Sequence, residues 1–348
     1  MRLSPDGTRV AIGDWDTTAP DVIVIDLTTG DAVTYPVPGG RSAVPLAWAP
    51  DSRRLAYLTT AEPVNPYSGR AVSGDLGLLD VTTGTAELVP GQDGVRAAAF
   101  SPDGRELAVH RITPDDGSLS GQDGIPRMGG GTVEVLTAGG TVDRRLAMPA
   151  HHYLHGPDAW SPDGALLATA VQWLPACEHL ATDTREWGDC FNDYTGPEDG
   201  IVFLDATGGD AAVPAPVPPD VVGWDGLLGW TGDREVLVLD APADPESAED
   251  DLFWLTAVPL DGGEPRRLSG VPGGGNYGVG GFQVASALLP DIELRDNAGA
   301  VDRGLWPTWL RVLVALGAAG AVTLVARTLD RRGHAVRFAH AHRTVHHG

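Results

Sequence analysis

Five times the chain spells the same short turn between two apolar runs: "RLSPDGTRVAIG" (2–13), "AWAPDSRRLAYL" (47–58), "AFSPDGRELAVH" (99–110), "AWSPDGALLATA" (159–170) and "GWTGDREVLVLD" (229–240). A fainter echo, "ALLPDIELRD", occupies 287–296. Self-similarity at a spacing of tens of residues restricts a chain to repeat architectures, because a single unit cannot bury its own apolar faces. The Pro position, or its equivalent, falls at 5, 50, 102, 162, 232 and 290. The units therefore lengthen by insertion while the turn persists.

The turn has a local mechanism. Pro presets φ for the first central position, and Gly tolerates the positive φ from which a second strand departs. The carboxylates of Asp6, Asp51, Asp103, Asp163 and Asp233 are placed to accept hydrogen bonds from nearby backbone amides. Two residues before the Pro position stand Leu3, Trp48, Phe100, Trp160, Trp230 and Leu288, large apolar groups suited to filling the gap between neighbouring sheets. Each unit continues with a second apolar run, such as "DVIVIDLTTG" (21–30) or "GLLDVTTGTAEL" (77–88), and an Asp/Thr-Gly hairpin signal. Four strands per unit, with no helical periodicity before the far C-terminus, is the pattern of β-propeller blades.

The aromatic-Ser-Pro-Asp-Gly turn followed by an apolar strand resembles the repeat of the TolB-like, WD-repeat-like β-propellers. The likeness covers about residues 1–291 and is weakest at 229–240, where Gly232 stands for Pro. It implies an all-β propeller that serves as a binding platform, and it carries no universal catalytic residues. The expected architecture is five four-stranded blades beginning near residues 1, 45, 96, 156 and 226. The first unit lacks an apolar run before its turn, and "GGFQVASALLPD" (280–291) has the pattern to supply it. Ring closure by that strand is the expectation; the alternative is an upstream segment carrying the missing strand and a sixth blade.

Beyond a linker at 292–304, "LWPTWLRVLVALGAAGAVTLVA" (305–326) is apolar apart from Arg311 and two Thr. As a helix it would span ~33 Å, enough for a bilayer core. Trp306 and Trp309 mark one end, and a basic His/Arg-rich tail (327–348) follows the other. The tail side carries six Arg and one acid after Gly304; the body before it carries 18 Arg and 46 acids of the chain's 24 and 47. The positive-inside rule then puts the tail in the cytoplasm and the acidic propeller outside a cell membrane crossed once. Residues 1–25 contain no secretory signal, which agrees with that topology if the genuine start lies upstream. A body this acidic excludes nucleic acid as partner.

The insertions lie between the second and third strand of successive units, at 14–21, 59–76, 111–130, 171–200 and 241–251. Loops gathered on one face of a rigid scaffold are where binding resides. The candidate contact residues are Trp173, Glu178, Trp187, Asp189 and Tyr194 in the longest loop, with Tyr67, Asp115 and Asp116 beside it. Their acids favour a basic or cationic partner, either a protein or a cell-envelope component. Cys177 and Cys190 are the two cysteines of the chain. A disulfide between them would fix the loop and requires an oxidising compartment.

The group "HHYLHGPD" (151–158) reads as an inter-blade connection in preference to a metal site, and no acidic cluster follows an EF-hand pattern. No phosphate loop or dinucleotide fingerprint occurs, so no cofactor is expected. No Gly-x-Ser-x-Gly is present, and a non-enzyme is favoured. The alternative is an extracytoplasmic hydrolase or lyase using acids at the ring centre.

Overall fold

The computed structural model of the protein describes residues 1–14, 19–61, 73–111, 131–149, 152–171, 200–209, 212–218, 221, 227–240, 252–272 and 283–291. They lie in one compact unit, Met1–Leu294. Its strands form five antiparallel sheets. The first blade is β1 (Arg2–Leu3), β2 (Arg9–Gly13), β3 (Asp21–Asp26) and β4 (Ala32–Pro36). The second is β5 (Ser42–Trp48), β6 (Arg54–Thr60), β7 (Asp75–Asp80) and β8 (Thr85–Leu88). The third is β9 (Val95–Phe100), β10 (Glu106–Arg111), β11 (Thr132–Thr137) and β12 (Val142–Ala147). The fourth is β13 (His152–Leu154), β14 (Leu166–Val171) and β15 (Val202–Asp205); the fifth is β16 (Leu227–Gly232), β17 (Glu235–Asp240), β18 (Leu252–Pro259) and β19 (Arg266–Pro272). Each sheet is a meander with neighbouring strands paired in chain order. The fold is an all-β propeller of five blades.

The repeated turn is built as its residue types demand. Ser4, Ser101 and Ser161 each donate a side-chain hydrogen bond to the Asp two residues on, at 2.6, 2.7 and 2.6 Å. The same hydroxyls accept the amides of Arg9, Glu106 and Leu166, each at 2.9 Å. The carboxylates of Asp6, Asp103 and Asp163 accept the amides of Thr8, Arg105 and Ala165. In the second turn Ala49 replaces Ser, and Asp51 takes the amides of Arg53 and Arg54. Gly7, Gly104 and Gly164 hold φ near +70°, and Ser52 adopts +54° in the equivalent place. The Arg105 amide and the Ser101 hydroxyl hold the Asp103 carboxyl below its ordinary range.

Successive side chains of a strand point to opposite faces, and here both faces of a blade are covered by its neighbours. Along β6, Leu55 and Tyr57 pack with Ala11, Val22 and Val24 of the first blade. Ala56 and Leu58 pack with Val95, Phe100 and Val109 of the third. Ala108 of β10 turns the other way, into a cluster with Leu154, Trp160 and Leu167 of the fourth. Phe203 and Leu166 of the fourth meet Trp230, Val236 and Val238 of the fifth. Double-sided burial is why the second strands read as near-continuous apolar runs.

Trp48, Phe100, Trp160 and Trp230 occupy equivalent buried places, at 4, 7, 5 and 5% exposure. Each indole also donates its N–H to the main chain of the blade before it: Trp48 Nε1 to Arg2 O at 3.0 Å, Trp160 Nε1 to Ala99 O at 2.9 Å, and Trp230 Nε1 to Asp158 O at 2.9 Å. Further bonds run to the following blade. Arg9 Nη1 reaches Ser52 O and Arg54 Nη2 reaches Gly104 O; Tyr35 Oη reaches Val81 O and Arg144 Nε reaches Ala206 O. Equivalent atoms meet equivalent atoms, so the blades are in register and corresponding connections share a face of the ring.

Four expectations need correction. Among the described residues the fourth sheet has three strands, and the segment that should add a fourth carries Pro214, Pro216 and Pro218, which lack the ladder donor. It touches the sheet at one bridge, Ile201 to Val217. The 280–291 closing strand does not form where it is described: Ser286–Asp291 is a 3₁₀ turn, and β1 itself holds the inner edge of β2. In the echo at 287–296, Leu288 is 53% exposed and its neighbour Leu289 is the buried one, so the echo is not a sixth repeat turn. At the fifth turn Gly232 pairs with Glu235 and leaves Asp233 and Arg234 as a two-residue hairpin. That turn lacks Pro and Ser, and Asp233 is exposed in it.

Among the described residues no helix is long and apolar enough to cross a membrane; the expected span at 305–326 lies outside them.

The indole bonds give a direct test. Trp160→Phe keeps most of the packing but strands the buried carbonyl of Ala99, and should cost about 1–2 kcal/mol in urea unfolding. Trp160→Ala, which adds a cavity, should cost about 3–5 kcal/mol.

Candidate functional site

Two regions qualify as sites. The first is the loop-bearing face. The second-to-third-strand connections leave β2, β6, β10, β14 and β17 and return at β3, β7, β11, β15 and β18. The first-to-second connections, with their tight Ser-Pro-Asp-Gly turns, lie at the opposite end. All the loop-face candidates (Trp173, Glu178, Trp187, Asp189, Tyr194, Tyr67, Asp115, Asp116) lie outside the described residues, as do Cys177 and Cys190. What is described is the base beneath these loops. At the foot of the 112–131 connection, Glu134 is 5% exposed and takes Arg145 Nε at 2.9 Å, Gln92 Nε2 at 3.2 Å and Arg111 Nη1 at 3.5 Å. Despite its burial, the hydrogen bonds of Arg145 and Gln92 and the charge of Arg111 leave its carboxyl below the ordinary range. A carboxylate so enclosed ties β11 to β10, β12 and Gln92; it is not free to do chemistry.

The second region is a cavity of about 360 Å³ among the inner strands on the ring axis. Inner strands of different blades and the 283–286 stretch enclose it. Trp48, Leu227 and Leu228 form its buried apolar part. Its polar part comes from Arg2, Tyr153, His155, Asp158, Gln283 and Ser286. The indole bonds fix two of these by their main chains, since Arg2 O and Asp158 O are the acceptors of Trp48 and Trp230. Gln283 clamps β1 like a strand edge: its Oε1 accepts Leu3 N at 2.8 Å and its Nε2 donates to Met1 O at 3.1 Å. His155 Nε2 accepts the amide of Leu227 at 2.8 Å, which keeps that nitrogen unprotonated.

The electrostatics of the cavity are set by two opposite charges. Burial pushes the Asp158 carboxyl up to about 7, against the opposing pull of Arg2 and the Ser286 hydroxyl bond. Burial lowers Arg2 from its ordinary value, and Asp158 partly offsets this. Outside the lining, Arg96 of β9 lies over the Tyr153 ring at 5.4 Å, its guanidinium pushed down to about 10 by burial.

The "HHYLHGPD" groups do not converge. His152 Nδ1 sits 2.9 Å from Thr169 Oγ1 in the blade interior, while His155 and Asp158 line the cavity; His151 lies outside the described residues. Among the described residues no cluster of three or more His, Cys, Asp or Glu could hold a metal. The sequence reading takes Asp158 only as part of the "HHYLHGPD" group and does not single out Arg2, yet a signal exists in the repeat. The residue before the large apolar position is Ala47, Ala99, Ala159 and Gly229 in the later units but Arg2 in the first. One place earlier stand Leu46, Ala98 and Leu228, but Asp158 in the fourth. The two charged departures from a small or apolar column both face the cavity.

No family model matches the chain, and no curated protein matches it. Among solved structures it is similar to TolB from Acinetobacter baumannii, with 15% identity and a TM-score of 0.43 over 77% of this chain and 54% of that one. It is similar also to the β-propeller domain of the Trilobed protease from Pyrococcus furiosus (11%, 0.44, 77% and 69%) and to an acylaminoacyl peptidase from Pyrococcus horikoshii (11%, 0.42, 77% and 41%). The matched region thus spans about half the length of the TolB protein and less of the peptidase.

Asp158 makes the stability of the ring pH-dependent in a predictable sense. Unfolded, its carboxyl ionises near 3.8; folded, near 7. The folded state therefore holds the proton longer, and stability contributed by this group is lost as pH rises between those values. The melting temperature of Asp158→Asn relative to wild type should rise from about pH 4 and level off above about pH 7. A difference independent of pH would show that Asp158 is not buried as described.

Proposed function

We propose that the chain is a non-catalytic binding platform: a propeller outside the cell membrane, tethered by a single helix at 305–326, with the 327–348 tail in the cytoplasm. The contact surface in this reading is the rim of second-to-third-strand connections. The partner is a protein or cell-envelope component of basic or cationic character.

The observation that carries the reading is the placement of chain length. The connections 14–20, 61–74, 112–131, 172–201 and 241–251 all join second to third strands, whereas the third-to-fourth connections 27–31, 81–84 and 138–141 are short. Apart from the 206–226 connection between the fourth and fifth blades, the long insertions share this one end of a register-locked ring, as suits a scaffold presenting loops. The acids and aromatics of those connections suit a desolvated, charge-steered contact. The tether rests on the length and apolar character of 305–326 and on the six Arg that follow Gly304.

The competing reading is a hydrolase or lyase working at the axis. Glycosidase-type chemistry asks for two facing carboxyl groups, and the described lining of the axial cavity offers one, Asp158. That favours the platform.

Replacing 177–190 with a short Gly-Ser linker should leave the ring folded, with a melting temperature within about 3 °C of wild type, since the change falls between strands. Retention of envelope partners by the immobilised chain should then be lost, and wild-type retention should weaken with salt. Unchanged retention and salt dependence would put the contact elsewhere. Protease added to intact cells should remove the propeller and spare the tail; the opposite pattern overturns the topology.

A further inference from the structure

We propose that the axial cavity is a binding site for a small zwitterion of amino-acid size, its carboxylate held by Arg2 and its ammonium by Asp158. The proposal is independent of the rim and of membrane tethering.

Three observations carry it. The cavity's volume of about 360 Å³ is within the range of small-molecule sites, roughly 300–1,000 Å³. Arg2 and Asp158 both line it and attract each other, yet among the described residues no direct ion pair joins them. Two opposite, partly desolvated charges in one cavity without a contact between them are complementary to a molecule that bears both signs. Finally, each is held from behind. Their carbonyls take the indoles of Trp48 and Trp230, and the Ser286 hydroxyl bonds the Asp158 carboxylate. The repeat places small or apolar residues at these positions in other blades, so the charges are not a by-product of the blade pattern.

Charge decides between ligand classes. Above about pH 7, where Asp158 is ionised, a simple anion on Arg2 would face its carboxylate, and a simple cation on Asp158 would face the Arg2 guanidinium; the titrations below are therefore run at about pH 8. A zwitterion satisfies both. Of the other polar groups, Gln283 is engaged on the main chain of β1 and His155 Nε2 on the Leu227 amide. They shape the cavity and do not add a further charge. Trp48, Leu227 and Leu228 offer an apolar surface for a side chain, so an apolar amino acid should bind more tightly than glycine.

The experiment is calorimetric titration of the full chain with glycine and L-leucine, alongside acetate and methylamine as half-probes. L-leucine should bind more tightly than glycine, and each half-probe at least about tenfold more weakly than glycine. Arg2→Gln and Asp158→Asn should each weaken glycine by about tenfold or more, while Arg145→Gln, on the exposed outer strand of the third blade, should not. Absence of binding by either amino acid up to about 10 mM overturns the proposal. So does acetate or methylamine binding as well as glycine, or unchanged affinity in both cavity variants. The wild-type probe series decides the matter even if a variant fails to fold.

Discussion

Each blade is joined to the one before it through a large apolar side chain at the end of its innermost strand, and the rest of the ring depends on that joint. Burial supplies most of its energy: a fully buried large side chain contributes about 1.5–3 kcal/mol, against about 0.5–1.5 kcal/mol net for a hydrogen bond. The bond's role is different. An apolar side chain fits a gap in several ways, but an indole N–H that must find one carbonyl fits in one. Trp48, Trp160 and Trp230 thereby fix the axial height and rotation of each blade. Phe100 has no N–H, and there Arg54 contributes instead, stacking over the ring at 5.5 Å and bonding Gly104 O.

That joint also explains what could be read from the sequence. The turn, the buried aromatic and the apolar second strand are local and repeated, so five units announce five blades. Features that depend on the meeting of distant segments left no periodic mark. The role of Gln283 depends on the edge of β1, some 280 residues away. The missing fourth strand of the fourth blade was legible in principle, because Pro at every second residue denies a ladder its donors. Arg2 and Asp158 were legible as exceptions: in a repeat, a residue that breaks its column without helping the fold is the one to examine. Nothing comparable singles out a residue in the loops, which have no column to break.

The seam between the fifth and first blades is unlike the other four. The residue equivalent to the tryptophans is Leu3, which has no N–H to offer. Its place is taken by the stretch around 283–289. Gln283 grips β1, Ala287 N bonds Pro5 O at 3.1 Å, and Leu289 packs with Leu228, Leu237 and Leu239. Leu289 fits because Gly229, at φ +152°, has no side chain; a Cβ there would come within 2.4 Å of it. The axial cavity sits against this seam and shares Leu3, Gln283, Val284 and Ser286 with it. Occupation of the cavity would brace the joint whose inner-strand residue is Leu3.

The proline-spaced segment beside the fourth blade has a consequence for how such molecules behave in company. Most open sheet edges invite a neighbouring molecule to dock strand to strand, and crowding multiplies the encounters. Val217 uses its amide inward, on Ile201, while Pro214, Pro216 and Pro218 have none to extend outward. A stranger's backbone approaching that side finds carbonyls without the alternating donors that would hold it. Packed densely side by side, these rings would slide past one another on that flank and not zip together.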